Sequence, residues 1–280
     1  MTVSGWHTGT SLRMSRLFDD VSGKSVVIAM DHGFLGVYQG LEDPGKVLGS
    51  ILAGKPDAVL VAPGTARMFQ HCLAGRNAPA MIVTIDFVMF TSIPSQTRPE
   101  EAMGMMSSVE DAIRMGADAV KVAMTFGRND VNMQAHNLDM ISQIAEKCHQ
   151  WGMPLMIEPT TWGKGFAPED TRNAQILANI ARIAFEFGAD IVKVDYPEKA
   201  ADFSQISAVC PAPIMVLGGT KKPDQRAMLE EILTVTKLGG SGVVIGRNVW
   251  QWPNPSGMVR ALRQVVHHND LEAALEELKK

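Results

Sequence analysis

The chain alternates between two kinds of segment, and that alternation constrains its fold more than any other feature. Eight short apolar or β-branched runs stand out: SVVIAMD (25–31), DAVLVAP (57–63), AMIVTID (80–86), DAVKVAM (118–124), PLMIE (154–158), DIVKVDY (190–196), PIMVLGG (213–219) and SGVVIG (241–246). Runs of about 4–8 residues between turn signals suit strands buried on both faces. Between most of them lies a stretch with helical periodicity. Residues 107–116 open with a Ser cap and an acidic first turn and end at Gly116. Residues 137–152 place Leu138, Ile141 and Ile144/Ala145 on one face, and 167–188 and 223–240 end at Gly188 and Gly239. Strand, helix and strand in succession imply parallel strands joined by crossovers.

Eight such units in about 250 residues predict an α/β fold of the single (β/α)8 TIM-barrel type. The alternative is a doubly wound open sheet, weakened because no GxGxxG follows the first run. No shift in composition marks a linker, so residues 1–280 read as one domain. Residues 1–23 read as an N-terminal extension whose helix closes the barrel bottom, and 256–280 as the eighth helix plus a charged tail.

Composition removes several function classes. Apolar residues make up 46% and charged residues 20% of the 280, enough burial to exclude disorder as the dominant state. With 26 Lys+Arg against 30 Asp+Glu, the basic footprint of a nucleic-acid binder is missing. No apolar run approaches the ~20 residues of a membrane helix, and the N-terminus lacks the apolar core of a secretory signal. Cys72, Cys148 and Cys210 form no CxxC pair. They read as reduced, buried or half-buried thiols of a cytoplasmic protein. Eighteen Met residues and a mildly charged surface favour a homo-oligomer.

In a parallel barrel, strand side chains alternate between interior and helix layer, and chemistry sits at the strands' C-terminal ends. Run one ends in Asp31-His32-Gly33. Run four carries Lys121 between Val120 and Val122, run five ends in Glu158, and run six carries Lys193 between Val192 and Val194, with Asp195 beyond. If those valines face the helices, both lysines face inward. Runs four and six are both even, so the lysines share one layer with Glu158 between them. One interior lysine could be a structural ion pair. Two lysines with two carboxylates are more than stability asks for, because buried ion networks stabilise less than apolar packing. The chemical reading is a Schiff-base lysine. An amine attacks a ketone only when neutral, and burial beside another cation favours that form. Lys193 has apolar neighbours and a candidate cation in Lys121. A nearby carboxylate then moves protons. The protonated imine is itself the electron sink, and there is no HxH or HExxH spacing, so no metal or other cofactor is called for. His32 alone reads as a supporting or core histidine.

Runs seven and eight end in Gly218-Gly219 and Gly246-Arg247. Loops at these places often bind phosphate: glycines admit backbone N–H groups to an anion and an arginine adds a charged contact. Arg67 and Arg98 are weaker candidates for a second phosphate, with solvated loop charge as their default reading. WGKG (162–165) could form a lid, with Trp162 as cover and Gly163 and Gly165 as hinges, or simply an exposed loop. Trp250 and Trp252 suit loop packing or a subunit contact.

AMDHG, SVEDAIRMGADAV, GADIVKVDYP, LGGTKK and GVVIGRNVW together resemble the DhnA-type class I aldolases over roughly residues 24–266. That group includes archaeal-type fructose-bisphosphate aldolase, the aminodideoxyheptulosonate synthase and the autoinducer-2 phosphate thiolase. The resemblance implies Lys193 as the imine lysine and Asp31 as an acid/base or hydroxyl-orienting carboxylate. It also implies Gly218, Gly219, Gly246 and Arg247 as the phosphate cradle. Archaeal-type members carry a Tyr general acid after strand five, where this chain has Glu158-Pro159-Thr160-Thr161. The Lys121/Glu158 pair is similar instead to the tagatose-bisphosphate and sulfofructose-phosphate aldolases. The expectation is therefore a metal-independent lyase acting on a phosphorylated ketose, with Glu158 or Asp31 as base and Lys121 holding Glu158 ionised. The alternatives are a thiolase-type transfer of an acyl group from a phosphorylated dione to coenzyme A, a non-catalytic sugar-phosphate sensor, and a metal-dependent barrel lyase.

Overall fold

A computed structural model describes residues 8–89, 102–128, 130–162 and 165–280. All eight predicted runs are strands: β1 (Ser25–Ala29), β2 (Ala58–Val61), β3 (Ala80–Thr84), β4 (Ala119–Thr125), β5 (Leu155–Thr160), β6 (Ile191–Val194), β7 (Ile214–Leu217) and β8 (Gly242–Ile245). They are parallel and close into a barrel, with β1 paired to both β8 and β2. Closure excludes the doubly wound sheet.

The helices are α1 (Thr8–Leu17), α2 (Pro44–Leu52), α3 (Pro63–Phe69), α4 (Val109–Arg114), α5 (Val131–Trp151), α6 (Ala174–Glu186), α7 (Phe203–Ser207), α8 (Gln225–Lys237), α9 (Arg247–Trp250), α10 (Pro255–His268) and α11 (Leu271–Lys279). Their starts follow from local chemistry: the side chains of Ser108, Asn173 and Asp224 accept backbone N–H groups of the first turns of α4, α6 and α8. The expected charged tail is in fact α11. Leu271, Leu275 and Leu278 pack on the core with buried Ala274, and Arg260 Nε of α10 lies 2.6 Å from Glu277 Oε2. Its charges had concealed an apolar stripe at helical spacing. An antiparallel strand pair, Asp86–Met89 with Ala102–Met105, also leaves the end of β3 and was not among the predicted elements. Among the described residues no helix is long and apolar enough to cross a membrane.

Strand alternation splits the core in two. Val26, Ile28, Val120, Val122, Val192 and Val194 pack outward against the helices. Val27, Ala29, Leu60, Ile82, Ala119, Met156, Ile191, Met215 and Val244 fill the interior, and Met14 and Leu17 of α1 join that interior cluster from below.

The lower rim carries a repeated device. Asp57, Asp118 and Asp190 stand just before β2, β4 and β6. Their carboxylates accept the N–H of Val26, Met81 and Leu155, on β1, β3 and β5, at 2.7, 2.9 and 2.9 Å. Each strand pair is thereby pinned in register at its base. Asp57 is held in turn by Arg263 (2.7 Å) and His267 (2.8 Å), and Asp118 by Arg16 (3.2 Å).

Candidate active site

Following each strand upward by twos leads from the apolar interior into charge. Ala119 is followed by Lys121, Met156 by Glu158, Ile191 by Lys193, Ala29 by Asp31, and Ile82 by Thr84 and Asp86. The outward valines on either side of each lysine leave it no other direction. All of these polar residues are buried.

Glu158 bridges the two lysines. Its Oε2 lies 2.7 Å from Lys121 Nζ and its Oε1 2.9 Å from Lys193 Nζ. Burial alone would raise the Glu158 carboxyl, but Lys121 and Lys193 outweigh it and hold the group below its ordinary value. Burial likewise opposes the charge on Lys121, yet Glu158, Asp86 and Asp31 keep its pKa above that of an ordinary lysine. Lys121 is therefore a standing cation.

Asp31 Oδ2 accepts the Thr84 hydroxyl at 2.7 Å, and Oδ1 lies 3.5 Å from His32 Nδ1. Against the opposing effect of burial, the His32 ring, Lys121 and Lys193 hold Asp31 well below the usual carboxylate range. Asp86, which the sequence reading passed over, is 1% exposed, and its Oδ2 accepts the Ala123 N–H at 2.8 Å. Burial pushes its carboxyl up to about 6, only partly offset by Lys121 and the Ala123 N–H. Asp195 hydrogen-bonds the Tyr196 N–H at 2.8 Å and is raised by burial.

All of these groups except Thr84 and Asp195 open into one cavity at the C-terminal ends of the strands, enclosing about 830 Å3 of non-protein space with its mouth included. Asp31, Asp86, Lys121, Glu158 and Lys193 line it. So do Gly218, Gly219, Gly246 and Arg247, and apolar Phe34, Val88 and Trp162. Gly219 has φ +60°, and a Cβ on Gly246 would stand 2.7 Å from the Ala29 carbonyl oxygen. Neither position accepts a side chain without strain. Arg247 Nε is buried with no hydrogen-bond partner among the described residues, and burial lowers the pKa of its guanidinium.

Asn248, also unremarked in the sequence, joins the two glycine loops. Its Nδ2 donates to the carbonyls of Gly218 (2.9 Å) and Thr220 (3.2 Å), and its Oδ1 accepts the Lys222 N–H at 2.7 Å. An Asn beside the glycine-arginine pair was the available signal. Trp250 donates from Nε1 to the Ala29 carbonyl at 3.0 Å and stands edge-on to His32. It thus packs a loop, and Trp252 is packed against the core.

The remaining candidates lie elsewhere. Arg67 is exposed on α3 and does not line the cavity. Arg98 and Gly163 lie outside the described residues. Gly165 donates its N–H to the Gly127 carbonyl at 2.8 Å, fastening that loop to the end of β4. Cys148 and Cys210 are buried as expected, whereas Cys72 is exposed because its short 3-10 turn buries no side chain.

Comparison with known proteins finds relatives along most of the chain. An uncharacterized aldolase of Saccharolobus solfataricus is 31% identical over 97% of this chain and 99% of its own length. The 3-hydroxy-5-phosphonooxypentane-2,4-dione thiolase of Escherichia coli is 31% identical over 96% of this chain and 86% of its own. Among solved structures, a Schiff-base-forming fructose-1,6-bisphosphate aldolase superposes with a TM-score of 0.77 at 25% identity, covering 92% of this chain and 99% of that one. Residues 25–252, from the first barrel strand to the tryptophan loop, match the DeoC/LacD family, and the chain belongs to that family of aldolases.

Proposed function

We propose that the protein is a class I aldolase that cleaves or forms a phosphorylated ketose through a Schiff base on Lys193, without a metal. The observation that carries this reading is the bridge of Glu158 between two interior lysines, one of them a standing cation. The resemblance to class I aldolases makes Lys193 the nucleophile, with Lys121 as the neighbouring cation across Glu158. The ketone carbonyl and the Lys193 amine form a carbinolamine. Glu158, 2.9 Å from Nζ, supplies and takes the protons as water departs and the iminium forms. A carboxylate removes the proton from the hydroxyl beyond the scissile bond. That O–H pair becomes the aldehyde carbonyl, and the C–C pair flows into the iminium to give an enamine. Protonation and hydrolysis of the enamine then free Lys193. Asp31, fixed by Thr84, orients substrate hydroxyls. Gly218, Gly219, Gly246 and Arg247 hold the phosphate and fix the ketone within reach of Lys193. The sparse, unpaired cysteines support a cytoplasmic setting.

Borohydride with dihydroxyacetone phosphate is expected to leave a stable mass on Lys193, and absence of any lysine adduct overturns the mechanism. A second reading is favoured by the thiolase relative: acyl transfer from a phosphorylated dione to coenzyme A, using the same lysine and phosphate site. Product analysis with and without coenzyme A separates the two. Aldehyde release from a panel of phosphorylated and sulfonated ketoses identifies the substrate.

A further inference from the structure

Three buried carboxylates face the cavity, and they are not equivalent. Both oxygens of Glu158 are engaged by lysine Nζ atoms, at 2.7 and 2.9 Å. To accept a substrate proton it must give up an ion pair in a buried site, where a separated charge is most costly. Asp31 has one oxygen taken by the Thr84 hydroxyl at 2.7 Å and the other 3.5 Å from the His32 ring. Its carboxylate is stabilised as an anion and is a weak base for the same reason. Asp86 is held differently. Its Oδ2 accepts the Ala123 N–H at 2.8 Å, its own backbone N–H also favours the anion, and among the described residues no side chain hydrogen-bonds it. It closes the cavity wall where the strand pair leaves β3, and the charged groups acting on it are Lys121 from β4 and Glu158 from β5.

We infer that Asp86 is the catalytic base that takes the proton from the hydroxyl beyond the scissile bond, while Asp31 orients substrate hydroxyls and Glu158 serves the imine chemistry. This assignment rests on the Schiff-base reading above. In the step, the substrate O–H proton passes to an Asp86 carboxylate oxygen. The O–H pair forms the aldehyde C=O, and the C–C pair moves into the Lys193 iminium. Asp86 then returns its proton to solvent or to the enamine carbon. The raised affinity of Asp86 for a proton agrees with this, since a base titrating just below neutrality is ionised at working pH yet still takes a proton readily. Lys121, a fixed cation, favours its charged form, and Glu158 opposes it.

The test is Asp86→Asn, which keeps an acceptor for the Ala123 N–H and removes the base. Fructose 1-phosphate and fructose 1,6-bisphosphate serve as cleavage probes, together with whichever ketose phosphate the panel shows to be cleaved fastest. The variant is expected to lose at least ~100-fold in kcat with KM within a few-fold, and still to form the borohydride adduct on Lys193 with dihydroxyacetone phosphate. The acid limb of the wild-type kcat profile near pH 6 should vanish from the residual activity. Cleavage within threefold of wild type overturns the assignment. So does loss of the adduct in step with activity, which would make Asp86 a structural residue. If the wild-type enzyme itself gives no adduct, the Schiff-base reading fails first and this one with it.

Discussion

The foot and the mouth of the barrel are built from the same strands by the same alternation, yet they solve opposite problems. At the foot, interior positions are Val27, Ala58, Ala80, Ala119, Met156, Ile191 and Met215, sealed from below by Met14 and Leu17. Two residues higher on β4, β5 and β6, the positions become Lys121, Glu158 and Lys193. The residues are buried in both places. The foot gains hydrophobic stabilisation from it. The mouth holds charges whose desolvation offsets their mutual attraction. Stability and chemistry are thus separated along the strand axis within a few residues.

The widest break in this comparison is Lys193→Met. Turnover is expected to fall at least ~10⁴-fold, with no lysine adduct under borohydride, because the proposed nucleophile is gone while Lys121 keeps its ion pair with Glu158. Mass spectrometry of the trapped protein and aldehyde release check it. Leu17→Ala tests the foot. Leu17 is 1% exposed, so the variant should lose about 3 kcal/mol in urea unfolding while kcat changes less than twofold.

Asp86→Asn sharpens the comparison through pH. In the folded protein Asp86 titrates near 6 rather than at the ordinary 3.8, so the folded state binds the extra proton between those values. Wild-type stability therefore falls as pH rises through that window, and the cost is complete above it. The Asn variant should exceed wild type by on the order of 2 kcal/mol at pH 8, with the gap closing toward pH 4. Thermal melts across pH read this directly. The smallest expected effect is at the phosphate loops. Asn248→Ala removes the bonds to Gly218, Thr220 and Lys222. KM for the phosphorylated ketone should rise about tenfold, the size of one or two lost hydrogen bonds, while kcat/KM for its unphosphorylated counterpart stays unchanged.

Much of the fold was legible in the sequence because parallel barrels write it twice. Each strand is a short apolar run, and several helix ends are marked by a glycine such as Gly116 or Gly188. Lys121 and Lys193 were legible for the same reason: a charge flanked by valines in a buried strand has one direction open to it. Asp86 was not. An acid at the end of an apolar run reads as a turn residue, whereas the structure buries it between the barrel strand carrying Ala123 and the strand pair it begins. Asn248 carried only the signal of its place beside Gly246-Arg247, since its partners are carbonyls and an N–H of another loop. The α11 helix was obscured by its dense charge.

The pinned strand bases have a consequence for the chemistry at the other end. Asp118 and Asp190 each stand three residues before an interior lysine, in DAVK and DIVK. A strand displaced by one position turns every side chain over, and the amine would then lie among greasy helix contacts instead of in the throat. These two acids therefore act as index marks for catalysis. They fix which way Lys121 and Lys193 point from the far side of a sealed apolar plug, without touching anything that reacts.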